Sequence, residues 1–307
     1  MKPLISILIP AYERPDYLKR SLDQIECQQF RDFEVIITDD SATDAVERFL
    51  STHAYSFSLQ YRKNVPACGT PRNWTSGMDL ASGEWIKILH DDDWLAGPSS
   101  LLHFAAAIRP EFDLVFSGYE AVYEDTGKRV DRTIRLRTFD RIAADPHRLF
   151  AGNLIGPPSV LMYRRTLSET FDPALKWIVD WEGYIRMLKK HSATYVSRPL
   201  ICMSYNSTQV TKHCLGNPLV EIPEALIYYQ KHGDQTHASW ITYDAWWRLM
   251  RNLSIRSVEE LEEYAGDMPI PHFLKRLIRH QRSLPNRWWR VGILSKLGMF
   301  LSYTWNR

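Results

Sequence analysis

A histidine followed by three aspartates is the part of this sequence best suited to chemistry. The run His90-Asp91-Asp92-Asp93 comes directly after the apolar segment 84–89, which predicts a buried strand. Three carboxylates at the end of a buried strand repel one another and are costly to desolvate unless a positive charge lies beside them. Mg²⁺ or Mn²⁺ supplies such a charge, prefers oxygen ligands and completes its shell with water and substrate phosphates. The run therefore favours a metal-bound phosphate substrate, although a solvated acidic turn or a helix cap is the simpler alternative.

The elements that must position this run are short strands alternating with helices over the first 120 residues. Apolar and periodic segments predict strands at 4–9, 33–38, 58–62 and 84–89, and helices at 17–28, from residue 44 onwards and at 72–81. Continuous apolar strands separated by helices are typical of a mostly parallel sheet covered on both faces, so the fold class is α/β and Rossmann-like.

Polar residues follow three of the predicted strands. They lie at 12–14, 39–41 and 90–93, each directly after an apolar run. Because ligands of parallel sheets bind beyond the carboxyl ends of the strands, we expect the three groups to share one crevice. The motifs GxGxxG and GxxxxGK[ST] do not occur in the sequence, which removes the main support for a dinucleotide or P-loop site.

The pattern changes twice along the chain. Residues 113–206 contain shorter apolar runs around a helix that begins near Trp181, and several amphipathic helices follow Pro218. We therefore expect a domain over 1–215, made of two halves that cover 1–112 and 113–215. A C-terminal helical, basic region follows over 216–307.

The C-terminal region combines positive charge with aromatic residues. The chain has 38 Lys and Arg against 36 Asp and Glu, but residues 268–307 contain eight basic residues and no acidic one. Such a segment is typical of a surface that meets an anionic partner, and we expect peripheral contact with a membrane through 268–307. The apolar stretch 291–305 is too short to span a bilayer. The alternative is a helical appendage that packs on the catalytic domain or on a second subunit.

Cysteine usage and the N-terminus suggest a cytoplasmic protein, at the inner face of the plasma membrane if the tail binds lipid. The four cysteines are far apart and form no CxxC pair, which favours reduced thiols. The N-terminal apolar run is too short for a signal peptide and is predicted to be the first strand. Nothing in the charge distribution favours nucleic acid, and no feature favours one oligomeric state.

Four motifs in order carry a family resemblance. The segments 6–14, 33–41, 71–73 and 90–93 are similar to those of family-2 glycosyltransferases with the GT-A fold, over about residues 3 to 206. The resemblance implies that 1–112 is a nucleotide-binding half and 113–215 an acceptor half. It also implies a nucleotide-binding crevice made of Pro10, Ala11, Tyr12, Glu13, Asp39, Arg72 and Asp91. In that crevice the loop at Pro10 lies along the base, Asp39 accepts a hydrogen bond from the base and Arg72 supports it.

The resemblance also implies a metal site, with one departure. Asp92 matches the metal ligand of the family's D-x-D motif, whereas His90 replaces its first aspartate. His90 and Asp93 are therefore further candidates for contact with Mn²⁺ or Mg²⁺, and a supporting role for His90 is favoured. His213 lies where some relatives contact the donor phosphate, and a surface histidine is the alternative.

The segment 177–186 resembles the family's acceptor-activating "ED" motif. Val179 replaces its first acidic residue and Asp180 retains the second, so Asp180 is the implied catalytic base, with Glu182 the runner-up. Trp181 is a candidate for stacking on a sugar, although large aromatics more often fill a core. From local sequence alone, an N-cap role for Asp180 is favoured, with Glu182 at the first turn of the helix.

Together these features predict an inverting, metal-dependent glycosyltransferase. Its donor would be a nucleotide-diphospho-sugar, most simply a UDP-sugar, and its acceptor a lipid-linked or polysaccharide glycan. Two alternatives remain open at this point: a sugar-phosphate nucleotidyltransferase, which would need a glycine-rich basic loop after the first strand, and a non-catalytic carbohydrate-binding or scaffold protein of the same fold.

Overall fold

The computed structural model describes residues 2–167, 171–206, 214–283 and 292–306. Contacts between residues divide the chain into two units. The first unit comprises Met1–Pro146, Leu154–Pro173 and Gly183–Ser207, and the second comprises His147–Asn153, Ala174–Glu182 and Thr208–Arg307.

A nine-stranded sheet forms the core of the first unit. Its strands are β1 (Ile5–Ala11), β2 (Phe33–Asp39), β3 (Ser58–Lys63), β4 (Trp85–Ile88), β5 (Trp94–Leu95), β6 (Leu114–Tyr123), β7 (Lys128–Arg132), β8 (Leu161–Arg164) and β9 (Ala193–Tyr205). They follow the order β3-β2-β1-β4-β8-β6-β9-β5, and β7 pairs with β6 outside this path. Every residue of β1, β2 and β4 is buried, as their continuous apolar sequences predict.

The strands that lead to the proposed nucleotide site pair in parallel, as the sequence predicted. β1 is parallel to both β2 and β4, and β2 is parallel to β3, so the carboxyl ends of these strands lie along one edge. The rest of the sheet is mixed, because β8 is antiparallel to β4 and β6, whereas β9 is parallel to β6. The α/β class is confirmed, with the parallel strands concentrated in the N-terminal half.

Two strands are much longer than their apolar cores predict. The apolar runs at 114–116 and 194–196 mark only the starts of β6 and β9, which pair as far as Tyr123 and Tyr205. Beyond Phe116 the sequence of β6 is no longer continuously apolar, and a register shift at Gly118 lets the pairing continue. Pairing with a neighbouring strand therefore extends both elements past the point where hydrophobicity identifies them.

Five helices accompany the sheet before residue 146: α1 (Pro15–Glu26), α2 (Ala45–Ser51), α3 (Arg72–Thr75), α4 (Ser100–Ala106) and α5 (Leu136–Ala144). The expected helix at 72–81 is wrong beyond Thr75, since the chain continues there in turns with hydrogen bonds from residue i+3 to residue i. Gly77 lies so close to β2 that a Cβ atom would stand 3.0 Å from Ile36 and Thr38. This close packing favours tight turns over a regular helix.

The second unit is built mainly of helices, as predicted for the sequence after Pro218. The helix α6 (Val179–Leu188) begins in this unit, followed by α7 (Pro218–His232), α8 (Trp240–Asn252), α9 (Val258–Ala265), α10 (His272–Arg282) and α11 (Gly292–Asn306). Their core contains large aromatic side chains, among them the fully buried Trp246, Trp247 and Tyr228. Among the described residues, no helix is long and apolar enough to cross a membrane.

Candidate active site

The loop after β1 is joined directly to the aspartates after β4. The Tyr12 backbone N–H donates to Asp91 Oδ2 over 3.1 Å. The guanidinium of Arg14 bridges two carboxylates, with Nη2 at 2.8 Å from Asp91 and Nη1 at 2.9 Å from Asp92. The two strand ends therefore form one site, and Arg14 supplies the positive charge that the aspartate run was expected to need.

The loop after β2 joins the same site. Asp39 is fully buried, and its carboxylate accepts hydrogen bonds from the Ser41 N–H (2.8 Å), the Ser41 hydroxyl and the Tyr61 hydroxyl (2.9 Å). The Ser41 hydroxyl in turn accepts from the Glu13 backbone N–H over 2.7 Å. Each carboxylate oxygen has more than one lone pair, so these contacts hold Asp39 in place and leave it able to accept from a ligand.

Glu13 has an unusual backbone conformation. Its φ of 54° lies in the left-handed region, which is uncommon for a residue other than glycine. The conformation aims its N–H at Ser41, while its carboxylate accepts from the Thr43 backbone N–H over 2.9 Å. These bonds hold the loops after β1 and β2 together at the proposed nucleotide-binding edge.

A buried amide network supports the helix that carries Arg72. Asn73 donates to the Ala11 carbonyl over 3.3 Å, and Asn64 bridges Asn73 (3.0 Å) and Asp40 (2.7 Å). Arg72 itself is exposed, and its guanidinium has no ion pair among the described residues. Its contact with the nucleotide stays a prediction.

His90, Asp92 and Asp93 form a group that can hold a metal ion. One potential ligand atom from each residue lies within 4.8 Å of the other two. The His90 backbone N–H donates to the Ser159 hydroxyl over 3.0 Å, and that hydroxyl donates to Asp93 over 2.5 Å. Ser159 therefore fixes both ends of the run after β4.

Burial dominates the electrostatics of this group. It raises the pKa of Asp91 to about 7 and raises the pKa of Asp93 well above its usual range, with the charge of Asp92 acting in the same direction. It also lowers the pKa of His90 to about 4, so the imidazole is neutral at pH 7. The fold thus holds these carboxyl groups together at a cost in free energy, from desolvation and like charge, which a bound cation would reduce.

The donor set fits a divalent cation. His90 Nε2 is buried and has no hydrogen-bond partner among the described residues, although buried polar atoms are almost always paired. A neutral imidazole nitrogen beside two carboxylates suits Mn²⁺ better than Mg²⁺, whose ligands in proteins are mainly oxygen atoms. Arg14 pairs with Asp92 in this structure, so a bound cation would share the Asp92 carboxylate with the guanidinium or replace it there.

Asp180 is the second residue of α6. Its carboxylate accepts hydrogen bonds from the Asn153 side-chain amide and from the Trp181 backbone N–H, each over 2.7 Å. Burial raises its pKa to about 6, although both hydrogen bonds lower it. An N-cap residue would accept from an N–H two or three residues further on, so Asp180 does not have the geometry of a cap.

Glu224 of α7 performs the capping role instead. Its buried carboxylate accepts from the backbone N–H groups of Lys176 (2.8 Å), Trp177 (2.9 Å) and Ile178 (2.9 Å), the three residues before α6. These N–H groups would otherwise lack partners at a helix start. Glu224 thus fixes the position from which Asp180 projects.

The remaining candidates in the second unit are more deeply involved in packing. Glu182 is fully buried, with Lys231 Nζ at 3.1 Å and His232 Nε2 at 3.4 Å from its carboxylate. Trp181 is only 8% exposed and packs against Phe150, with ring centroids 5.6 Å apart. His213 lies outside the described residues.

Several residues of the site were missed from the sequence. Arg14 lies in the polar group after β1, so its pairing with the aspartates after β4 could have been predicted. Lys87 is a lysine inside an apolar strand; it is fully buried, donates to the Ile88 carbonyl over 2.9 Å, and burial lowers its pKa to about 7. The role of Glu224 could not be predicted from the sequence, since a single acidic residue is common in an amphipathic helix.

Comparison with known proteins identifies the family. The sequence profile of glycosyl transferase family 2 matches residues 6–171, more than half of the chain. The chain belongs to glycosyl transferase family 2. The match begins at β1 and includes the strand ends that carry Asp39 and Asp92.

Individual relatives match over part of their length. A Bacillus subtilis protein named as the glycosyltransferase EpsH is 29% identical over 172 residues, which is 54% of this chain and 48% of EpsH. The abequosyltransferase RfbV of Salmonella typhimurium is 37% identical over 100 residues, 31% of this chain and 30% of RfbV. The chain therefore spans half or less of these curated relatives.

Solved structures match over the whole chain at low identity. The Staphylococcus aureus TarS 1–349 structure in complex with UDP-GlcNAc has a TM-score of 0.63 at 16% identity, covering 100% of this chain and 93% of TarS 1–349. The mannosyltransferase PcManGT of Pyrobaculum calidifontis, in complex with GDP-Man and Mn²⁺, has a TM-score of 0.55 at 15% identity, covering 100% and 87%. At such identities the likeness establishes the GT-A fold alone.

Proposed function

We propose that this protein transfers a sugar from a nucleotide-diphospho-sugar to a hydroxyl group of a glycan acceptor. The observation that carries the proposal is the His90–Asp92–Asp93 group in a chain of glycosyl transferase family 2. The neighbouring Asp91 accepts a hydrogen bond from the loop after β1, and that loop is bonded in turn to the loop after β2. A site of this kind can bind a diphosphate through a cation while neighbouring loops hold the base.

For the donor we propose a UDP-sugar. Asp39 would accept a hydrogen bond from the base, Arg72 would support it, and the backbone from Pro10 to Glu13 would lie along it. Support comes from the buried, pre-oriented carboxylate of Asp39 and from the exposed guanidinium of Arg72, which has no ion pair within the described part of the chain. TarS was solved with UDP-GlcNAc and PcManGT with GDP-Man, so both base types occur in proteins of this fold.

We propose Mn²⁺ as the preferred ion, with Mg²⁺ as a weaker substitute. Asp92 would be its principal ligand, with His90 and Asp93 beside it, and Asp91 would lie towards the ribose and diphosphate. The ion would stabilise the negative charge that develops on the departing nucleotide. Arg14, now paired to Asp91 and Asp92, would lie beside the same phosphates.

For the acceptor step we propose Asp180 as general base. Its carboxylate would remove the proton of the attacking hydroxyl as that oxygen forms the new bond to the anomeric carbon and the nucleotide diphosphate leaves with the bonding electrons. A single displacement of this kind inverts the anomeric configuration. The carboxylate of Glu182 is already engaged by Lys231, which favours Asp180 over it.

The acceptor is proposed to be a lipid-linked or polysaccharide glycan at a membrane surface. The support is the basic C-terminal segment 268–307, which has eight basic and no acidic residues. On this proposal the protein would work in the cytoplasm, at the inner face of the plasma membrane.

A donor screen tests the proposed function. The protein would be incubated with UDP-, GDP-, dTDP- and CDP-linked sugars and Mn²⁺, and release of the free nucleotide would be measured with and without EDTA. We expect one nucleotide class to be released in a metal-dependent way, and faster when an acceptor glycan is present. Failure with every donor would favour a non-catalytic carbohydrate-binding protein, while release of pyrophosphate from a nucleoside triphosphate and a sugar phosphate would indicate a nucleotidyltransferase.

A further inference from the structure

The helix α11 is amphipathic, but it exposes its apolar face and packs its more polar face against the rest of the unit. Its exposed positions include Ile293, Leu297, Phe300, Leu301 and Trp305; the steps 293–297–301–305 and 297–300, of four and three residues, place them on one face. A helix at a protein surface normally presents polar residues to water and apolar residues to the core. Here the large apolar side chains lie on the outside.

The exposure of these side chains is substantial. Ile293 is 76% exposed, Trp305 66%, Leu297 53%, Leu301 51% and Phe300 39%. Isolated exposed apolar residues are normal, but five on one face of a single helix form a continuous stripe. Such a stripe marks a surface that is covered by something apolar when the protein works.

The opposite face of α11 consists mainly of small and polar residues beside the buried Met299, and hydrogen bonds fix it to the unit. Ser295 accepts from Trp247 Nε1 over 3.1 Å, and the Ser302 hydroxyl lies 2.6 Å from the Tyr243 hydroxyl. Asn306 donates to the Tyr243 hydroxyl over 2.7 Å and to the Phe273 carbonyl over 3.0 Å. Because specific bonds hold the polar face inward, rotation of the helix to bury its apolar face would break them.

One further aromatic residue extends the stripe. Trp240, at the start of α8, is 44% exposed, and its ring centroid lies 5.6 Å from that of Phe300. Lys296 stands beside them, with its ammonium group 5.7 Å from the Trp240 ring centroid. We call the six apolar residues together the α11 face; they are Trp240, Ile293, Leu297, Phe300, Leu301 and Trp305.

The charge around the α11 face is positive. Lys296 lies within it, and Arg276 of the neighbouring helix α10 donates to the Asn306 carbonyl at the end of α11 over 3.4 Å. Arg279 and Arg282 of α10 line a cavity with Glu259 and Glu262 of α9 instead. Residues 268–307 contain no aspartate or glutamate. Apolar and aromatic side chains bordered by lysine and arginine match the interface of a bilayer with negatively charged headgroups.

We propose that the α11 face docks on an anionic lipid bilayer, with Trp240, Phe300 and Trp305 inserted at the level of the headgroups. The helix has 15 residues, fewer than the roughly 20 needed to span, so it lies on the membrane surface. This inference rests on the proposed function in one respect: docking would bring the enzyme to an acceptor held in the membrane. Docking itself requires neither donor nor metal.

Vesicle co-sedimentation tests the proposal on the full chain. The probes are vesicles of phosphatidylcholine alone and of phosphatidylcholine with phosphatidylglycerol, at low salt. We expect binding to the anionic vesicles and a loss of at least about tenfold in affinity for the double variant Leu297→Gln/Phe300→Gln. The matched control is Leu102→Gln/Leu136→Gln, which changes residues of similar exposure, 44% and 54%, in the first unit and should bind as wild type does.

The charge contribution is tested separately. Lys296→Glu should weaken binding to the anionic vesicles by about fivefold or more, whereas Lys128→Glu, an exposed lysine of β7, should not. High salt should reduce binding of the wild type in the same direction.

Three results would overturn the proposal. They are absence of binding to anionic vesicles, equal binding by the α11-face variant and its control, or a self-association in solution that Leu297→Gln/Phe300→Gln abolishes, which would make the face an interface between copies. Nucleotide-dependent thermal stabilisation, measured on the same preparations, shows that the variants are folded. It also separates failure of membrane docking from failure of the proposed donor site.

Discussion

The environment of Asp180 determines the pH at which it can act as a base. Burial raises its pKa to about 6, and the charge of Glu224 raises it further, whereas the hydrogen bonds from Trp181 and Asn153 lower it. A general base works when it is unprotonated and is most effective when its pKa is not far below the working pH. The pKa of Asp180 is therefore better suited to proton removal near pH 7 than that of an exposed aspartate.

We expect transfer to fall as the pH drops below about 6, because Asp180 becomes protonated. In Asn153→Ala the hydrogen bond that lowers this pKa is lost, so the acidic limb of the profile should move to higher pH. The measurement is kcat/KM against pH for both proteins. An unchanged limb in Asn153→Ala, in an enzyme that remains folded, would show that another group controls the profile.

Removing the base altogether gives a larger effect. Asp180→Asn keeps the size of the side chain and should retain donor binding while losing transfer by about 100-fold or more. Asp125→Asn, in the exposed turn after β6, is the matched control and should keep full activity. Near-normal transfer by Asp180→Asn would assign the role to another residue.

At the scale of the elements, the start of α6 depends on a single carboxylate from α7. Glu224 accepts from three consecutive N–H groups, and its removal would leave them without a partner in a buried setting. Sequence patterns revealed α6 and α7 but not this connection, because it joins positions 46 to 48 residues apart. Contacts of this kind become visible only once the helices are packed.

Glu224→Ala should destabilise the protein by about 1–3 kcal/mol and reduce transfer, since Asp180 follows the uncapped segment by two residues. Glu224→Gln, which retains one acceptor oxygen, should lie between this variant and wild type. The control is Glu262→Ala, which removes a carboxylate that is 53% exposed and paired to Lys275, and should cost about 1 kcal/mol or less. Thermal unfolding and kcat are measured together, and equal effects of Glu224→Ala and Glu262→Ala would contradict the capping role.

The reliability of the sequence patterns differed between elements for physical reasons. The apolar runs of β1, β2 and β4 are buried on both sides, so their sequences predict them well. The ends of β6 and β9 are set by pairing with each other, and the tight turns after Thr75 are set by contact of Gly77 with β2. Neither influence is encoded in local periodicity.

The same distinction holds for the site. The polar groups after three strands were predicted to lie together, because parallel strands end along one edge, and hydrogen bonds do join the three groups. The bridging of Asp91 and Asp92 by Arg14, and the fixing of Asp93 by Ser159, depend on side-chain directions that spacing does not reveal. The burial that perturbs the pKa values of His90 and Asp91 likewise arises only in the folded structure.

At the scale of the whole molecule, positive charge and exposed apolar surface are concentrated in the C-terminal unit. The chain as a whole is nearly neutral, with a net charge of +2, yet all eight charged residues after Met268 are basic. The nucleotide-binding residues of the proposal belong to the first unit, and Asp180 and the α11 face belong to the second. Donor binding and membrane docking can therefore be disabled separately by substitution.

The measurement that tests the central claim most directly is thermal unfolding with UDP, GDP, dTDP and CDP, each in Mn²⁺ and in EDTA. It would be made on wild type, Asp92→Ala and the control Asp125→Ala. We expect one nucleotide, in Mn²⁺ only, to stabilise wild type and the control by about 2.7 kcal/mol at 100 times its Kd and so to raise their Tm, and to leave the Tm of Asp92→Ala unchanged. Stabilisation by no nucleotide, or stabilisation that survives both EDTA and Asp92→Ala, would contradict a metal-dependent nucleotide-sugar site at the end of β4.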